Sequence, residues 1–218
     1  MRILVYGDSN SWGYLDDGSG IRHAERWPVM MARHLRQAGI EVELVEECLP
    51  GRTTNIDDPQ EGAWCNGHTP LKAILLSQQP LDHILIMLGT NDMKARFDRD
   101  AAAITTGVMS LLAIIRETAA GPGGWNDEIP APVTVICPPT LGELADDPAW
   151  LRQGEWRGGR ATSQALPPVL KRACDAAGAA FIDGNLHAVS SSRDPIHWNA
   201  ATQTAFGGAI ARKILAAG

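Results

Sequence analysis

The stretch Ile3-Leu4-Val5-Tyr6-Gly7-Asp8-Ser9-Asn10 decides the fold. Four apolar residues in a row suit a short strand covered on both faces, as strands of parallel sheets are. Gly7 ends the run with a residue that turns easily because it has no Cβ. Ser9 then stands just past the strand's carboxyl end, the edge at which open α/β sheets bind ligands. A plainer role competes, because Asp8 and Ser9 also suit the cap or turn that opens a helix.

The same strand pattern recurs four times. Residues 41–46 alternate charged and apolar side chains, and 83–88, 132–137 and 179–182 are apolar runs. Helical periods lie between them. One starts at Trp27-Pro28, with Trp27, Met31 and Leu35 on one face, and Gly39 ends it. Residues 71–79 form a second, stopped by Pro80. Residues 101–120 form a third, with Ile104, Val108, Leu111, Leu112 and Ile115 in register and Gly121-Pro122-Gly123-Gly124 closing it. Residues 163–177 follow, their first part limited by Pro167-Pro168, and residues 200–216 form the last helix, with Asn199 as N-cap. Residues 140–159 have no period and read as an excursion from the scaffold. Strands alternating with helices predict an α/β fold, a three-layer α/β/α sandwich around a parallel sheet. Right-handed crossovers leave few topologies. The expected one is flavodoxin-like, five strands in the order 2-1-3-4-5, with residues 1–218 as a single domain.

Composition narrows the function. A formal charge of −6 offers no basic face for nucleic acid. No apolar run approaches the roughly 20 residues that span a bilayer. Met1-Arg2 leads straight into the first strand, whose apolar run is too short for a secretory leader. Cys48, Cys65, Cys137 and Cys174 are widely spaced and lack a CxxC pair, so neither a zinc site nor a disulfide framework is expected. Reduced thiols in a cytoplasmic setting are the expectation. Seven tryptophans against three phenylalanines and two tyrosines suggest aromatic pockets or interfaces as well as core.

All strands of a parallel sheet end on one edge. Ser9 follows the first strand, Gly51 the second, Asn91 the third, and Asp194 with His197 the fifth. Singly these residues suit turns, caps or a surface pair. Together they supply an acyl-transfer site. Ser9 is a nucleophile that needs a base, and His197 can be that base. Asp194, three residues earlier, can hold the imidazole's tautomer. The backbone N–H groups of Ser9 and Gly51 and the Asn91 amide can face a developing oxyanion.

The chain resembles the SGNH (GDSL-type) hydrolases. The resemblance lies in Gly7-Asp8-Ser9-Asn10, Gly51, Gly89-Thr90-Asn91-Asp92 and Asp194-Pro195-Ile196-His197, in family order and across nearly the whole chain. It implies a Ser9-Asp194-His197 triad, an oxyanion hole at Ser9, Gly51 and Asn91, and no metal or other cofactor. A narrower likeness is to small bacterial aryl esterases that also act as acyltransferases and perhydrolases. It rests on Ser11-Trp12-Gly13, Gly51-Arg52-Thr53-Thr54-Asn55-Ile56-Asp57-Asp58-Pro59 and Ile86-Met87-Leu88-Gly89-Thr90-Asn91-Asp92-Met93-Lys94. This chain departs in having Asn10 where leucine is commoner and Pro195 where glycine is usual. The implied substrate is a small aryl or short-chain ester, with alcohol or peroxide as further acyl acceptors. A homo-oligomer is a further expectation. An acetylated carbohydrate is the alternative substrate, and a non-catalytic flavodoxin-like binding module is the alternative of another class.

Trp12 and Trp198 flank the candidate catalytic residues and suit either pocket walls or core. Arg52 beside Gly51 suits either substrate contact or a surface pair. His187 is the one rival base. Gly7 to Gly13 lacks the Gly-Lys-Ser/Thr ending of a phosphate loop.

Overall fold

The computed structural model describes every residue except 124, 126 and 218, so the Gly124 expected in the closing Gly-Pro-Gly-Gly turn lies outside the described residues. Five strands form one parallel sheet in the order β2-β1-β3-β4-β5. They are β1 (Arg2–Gly7), β2 (Glu43–Cys48), β3 (His83–Met87), β4 (Val133–Cys137) and β5 (Ala180–Asp183). Helices α1 (Ser9–Trp12), α2 (Trp27–Gln37), α3 (His68–Gln78), α4 (Ala101–Glu117), α5 (Gln153–Trp156), α6 (Gly159–Ala177) and α7 (Ala200–Ala217) fill the intervals.

Strand alternation sorts the core into two faces. Ile3 and Val5 of β1 point to the layer made by α2 and α7, where Trp27, Met31, Leu35, Phe206 and Ile210 are fully buried. Leu4 and Tyr6 point the other way, toward α3 and α4. The same face continues over β4 to α6 through Val135, Leu166 and Leu170. The result is the expected three-layer α/β/α order.

Register brings the strand ends level. Gly7 pairs with Cys48 on one side and with Met87 on the other, so the loops after β1, β2 and β3 leave the sheet side by side. Caps set where helices begin. Asp100 accepts from the Ala103 N–H at 2.8 Å to start α4, and Asn199 accepts from the Thr202 N–H at 2.9 Å to start α7.

Helix α6 differs from expectation, since it runs unbroken through Pro167 and Pro168. Each proline removes a backbone bond, a loss of about 3 kcal/mol in a helix interior. Buried Leu166, Leu170 and Cys174, packed against α4 and β4, hold the helix across that gap.

Candidate active site

Ser9 opens α1 directly after β1. Asp8 caps this single turn, accepting from the Asn10 N–H at 3.0 Å. Gly7 is required by space, because a Cβ there would collide with the Ser11 side chain folding back over it. Its φ is not left-handed. The turn is fastened to the far end of the chain. Gln203 of α7, fully buried, donates to the Asn10 carbonyl and accepts from the Trp27 N–H, each at 2.9 Å. Asn10 donates through its side chain to the Ile196 carbonyl at 3.1 Å. Asn10, where leucine is commoner, thus braces the loop that carries His197.

Three side chains line up across 188 residues. His197 Nε2 lies 3.0 Å from Ser9 Oγ, and His197 Nδ1 lies 2.6 Å from Asp194 Oδ2. The other Asp194 oxygen accepts from the Ile196 and His197 N–H groups at 2.8 and 3.2 Å, which closes a tight turn around Pro195. Burial opposes ionisation of Asp194, but the His197 hydrogen bond and charge outweigh it and hold its pKa below the usual carboxylate value. The Tyr14 ring packs on the imidazole with centroids 4.5 Å apart.

Donors gather beside Ser9. As the first residue of α1, Ser9 has no carbonyl one turn back in the helix to accept its N–H. The Gly51 N–H has no acceptor among the described residues. Gly51 has φ +85°, a left-handed conformation in which a side chain would be strained. The Asn91 amide donates one hydrogen to the Arg52 carbonyl at 3.1 Å, leaving the second free.

Asp92 ties the two donor loops together. Fully buried, it accepts from the Thr54 N–H at 2.9 Å, the Thr54 hydroxyl at 2.5 Å and Arg99 at 2.7 Å. Burial raises its pKa to about 6 despite these donors. Asp8, also fully buried, is likewise pushed up to about 6 by burial, against the nearby Thr90 hydroxyl, and its Oδ2 has no close hydrogen-bond partner among the described residues.

A cavity of about 360 Å³ opens over Ser9 and His197, with Gly51 and Asn91 in its lining. Its walls come from the stretches after β1, β2 and β3 and from residues 150–156. Tyr14, Trp64 and Trp156 supply aromatic surface, and Glu61, Lys94 and Arg152 supply charge. Among the described residues, no three His, Cys, Asp or Glu side chains cluster as metal ligands would.

The profile of the GDSL-like lipase/acylhydrolase family matches residues 5–205. The chain belongs to that family. Among solved structures, a carbohydrate acetylesterase from Sinorhizobium meliloti is 33% identical with TM-score 0.89, covering 100% of this chain and 99% of its own. The aryl esterase of M. smegmatis is 33% identical with TM-score 0.87, covering 99% and 98%. A putative arylesterase from Agrobacterium tumefaciens is 32% identical with TM-score 0.83, covering 99% and 98%. No protein of curated function matches the chain. Family and neighbours together make the chain a carboxylic-ester hydrolase.

Within this GDSL-type scaffold, the three residues expected at the substrate are placed elsewhere. Arg52 is buried, its guanidinium 4.2 Å from the centre of the Tyr6 ring, and it donates to the Gly7 and Glu47 carbonyls. It satisfies strand-end carbonyls, which a substrate could reach only by displacing it. Trp198 is 1% exposed and packs on Phe206, with centroids 4.8 Å apart, as core. Trp12 lies under Arg22, outside the cavity lining. His187 lies at a separate surface groove with Pro167 and Lys213. Tyr14, Trp64, Lys94 and Trp156 were missed. Tyr14 carried a readable signal, standing five residues after the serine and beyond the Gly13 turn. Trp156 carried none, since nothing in residues 140–159 announces a return to the site.

Proposed function

We propose that the protein is a serine esterase for small acyl esters, with Ser9, His197 and Asp194 as its triad. Ser9 Oγ attacks the ester carbonyl carbon while its proton passes to His197 Nε2. Asp194 accepts from Nδ1–H and stabilises the imidazolium that forms. The negative charge moves to the carbonyl oxygen, which the N–H groups of Ser9 and Gly51 and the free Asn91 hydrogen face. Collapse breaks the bond to the leaving alcohol, which takes the proton from His197. Water then gives its proton to His197 and attacks the acyl-enzyme carbonyl; collapse breaks the bond to Ser9 Oγ, which takes the proton back from His197, and the acid is released. An alcohol or peroxide entering in place of water completes acyl transfer by the same steps.

The observation that carries this reading is the continuous chain from Ser9 Oγ at 3.0 Å through the imidazole to Asp194 at 2.6 Å. The test is labelling with a serine-directed organophosphate. Stoichiometric modification at Ser9 with loss of phenyl acetate turnover is expected. Full turnover with Ser9 unlabelled rejects the triad, and no turnover favours the binding-module alternative.

An acetylated carbohydrate is the second reading of the substrate. Trp64, 58% exposed at the cavity, offers a flat apolar face of the kind sugar rings pack on, and a similar protein from Sinorhizobium meliloti is a carbohydrate acetylesterase. Residues 1–218 act as one domain in this proposal, because the triad joins both halves of the sheet. All four cysteines are free, which supports a reducing, cytoplasmic setting. Among the described residues no helix is long and apolar enough to cross a membrane.

A further inference from the structure

Lys94 lines the cavity, yet ester cleavage has no use for it. Its side chain is only 6% exposed. Its ammonium makes no hydrogen bond among the described residues. Asp58 and Glu155 each stand 3.8 Å from Nζ, beyond hydrogen-bond reach. Both carboxylates are already taken. Arg96 donates to Asp58 at 2.6 Å and to Glu155 at 3.3 Å, and Arg152 reaches Glu155 at 2.9 Å. Three cations therefore share two carboxylates. Glu61 also lines the cavity as a third carboxylate acting on Lys94, but it and Arg152 are both exposed, where water screens them.

A buried cation with free donors is costly to hold. Burial and then the Arg96 charge pull the Lys94 pKa below its ordinary value, against Glu155, Asp58 and Glu61, which act to raise it. The Trp156 ring, 5.9 Å away, compensates only in part. A neutral hydroxyl in the cavity would accept a hydrogen bond but add no charge to the two long ion pairs at 3.8 Å. A carboxylate would answer both needs.

We propose that the substrate is an ester bearing a carboxylate, which seats on Lys94, with Arg152 beside it, while the reacting carbonyl lies at Ser9. This rests on the esterase reading above. The charge sits in the part of the substrate that does not react, on either the alcohol or the acyl chain.

Two pairs of probes separate those cases. One compares 4-acetoxybenzoate with its methyl ester, placing the carboxylate on the leaving alcohol. The other compares the mono-4-nitrophenyl ester of adipic acid with 4-nitrophenyl hexanoate, placing it on the acyl chain. Each kcat/KM is divided by the rate of uncatalysed hydrolysis. The wild type should favour the acid in one pair by about tenfold or more, the value of one charge-assisted hydrogen bond. Lys94→Met should abolish that preference and Lys94→Arg should keep most of it. A wild type without preference in either pair overturns the proposal with no variant needed, as does a preference that survives in Lys94→Met. Turnover of the neutral esters in those cases leaves the esterase reading standing. No turnover of any of the four overturns both.

Discussion

Two sides of the cavity are built by different means. On one side, the loops after β2 and β3 are locked by buried bonds, with Asp92 joining Thr54 to Arg99 and Asn91 joining the Arg52 carbonyl. On the other, Trp64 is 58% exposed, Arg152 is exposed, and α5 is a single turn. The locked side holds the proposed oxyanion donors, whose aim must be kept within tenths of an ångström. The open side meets the part of the substrate that varies. The difference teaches that this scaffold spends buried polar bonds where charge develops and leaves the recognition wall loosely held.

If that division holds, the greatest damage comes from the reacting centre. Ser9→Ala should lower kcat by about 10⁴-fold or more, because the triad acts as a unit. Equal loss from any open-side substitution, measured by the same steady-state assay, would break the comparison. Asn91→Ala should lower kcat by about 10²–10³ with a smaller change in KM, as for one lost oxyanion donor. A rise in KM alone would transfer Asn91 to the recognition wall.

Asp92→Ala tests the lock itself. It removes a buried acceptor from Arg99 and Thr54 and should cost about 3 kcal/mol in urea unfolding. A cost within experimental error would mean the two loops are held by other contacts.

Asp8 sharpens the picture through pH. Its folded-state pKa of about 6 exceeds the ordinary 3.8, so the folded chain keeps a proton that the unfolded chain releases. The contribution of Asp8 is therefore fully favourable below about pH 4, falls as pH rises to about 6, and is flat above. Asp8→Asn should remove its share of that slope, leaving the share of Asp92, and raise stability at pH 7, on the order of 2 kcal/mol. An unchanged slope in denaturation curves at pH 4 to 7 would show that Asp8 is not its source.

The smallest effect belongs to the open wall. Trp64→Ala should raise KM by about two- to tenfold with kcat kept, since one aromatic contact is worth about 0.5–1.5 kcal/mol. A fall in kcat with KM steady would place Trp64 among the groups that meet the transition state.

Most of the scaffold could be read from apolar runs and their punctuation. Ile3 to Tyr6 is buried on both faces, so its pattern is continuous and its class follows. Ser9, Gly51, Asn91, Asp194 and His197 were readable as a group because parallel strands end on one edge. The recognition wall was not. Arg52 and Trp198 adjoin catalytic residues in sequence, but neighbours along a strand end or helix start point in different directions. Trp156 and Lys94 reach the cavity through an irregular segment and a short 3₁₀ turn, neither of which has a period to read. Helix α6 was underestimated at its prolines because packing partners on α4, distant in sequence, outweigh local propensity.

The span of 188 residues between the serine and its histidine also has a consequence in time. During synthesis the proposed nucleophile is made first and its proposed base nearly last. At ordinary translation speeds that interval is roughly 10–40 seconds. For all of it Ser9 is an unremarkable alcohol, unable to acylate itself on the esters of a cell. If the proposed triad holds, a ribosome-bound fragment that stops short of residue 197 carries a harmless hydroxyl.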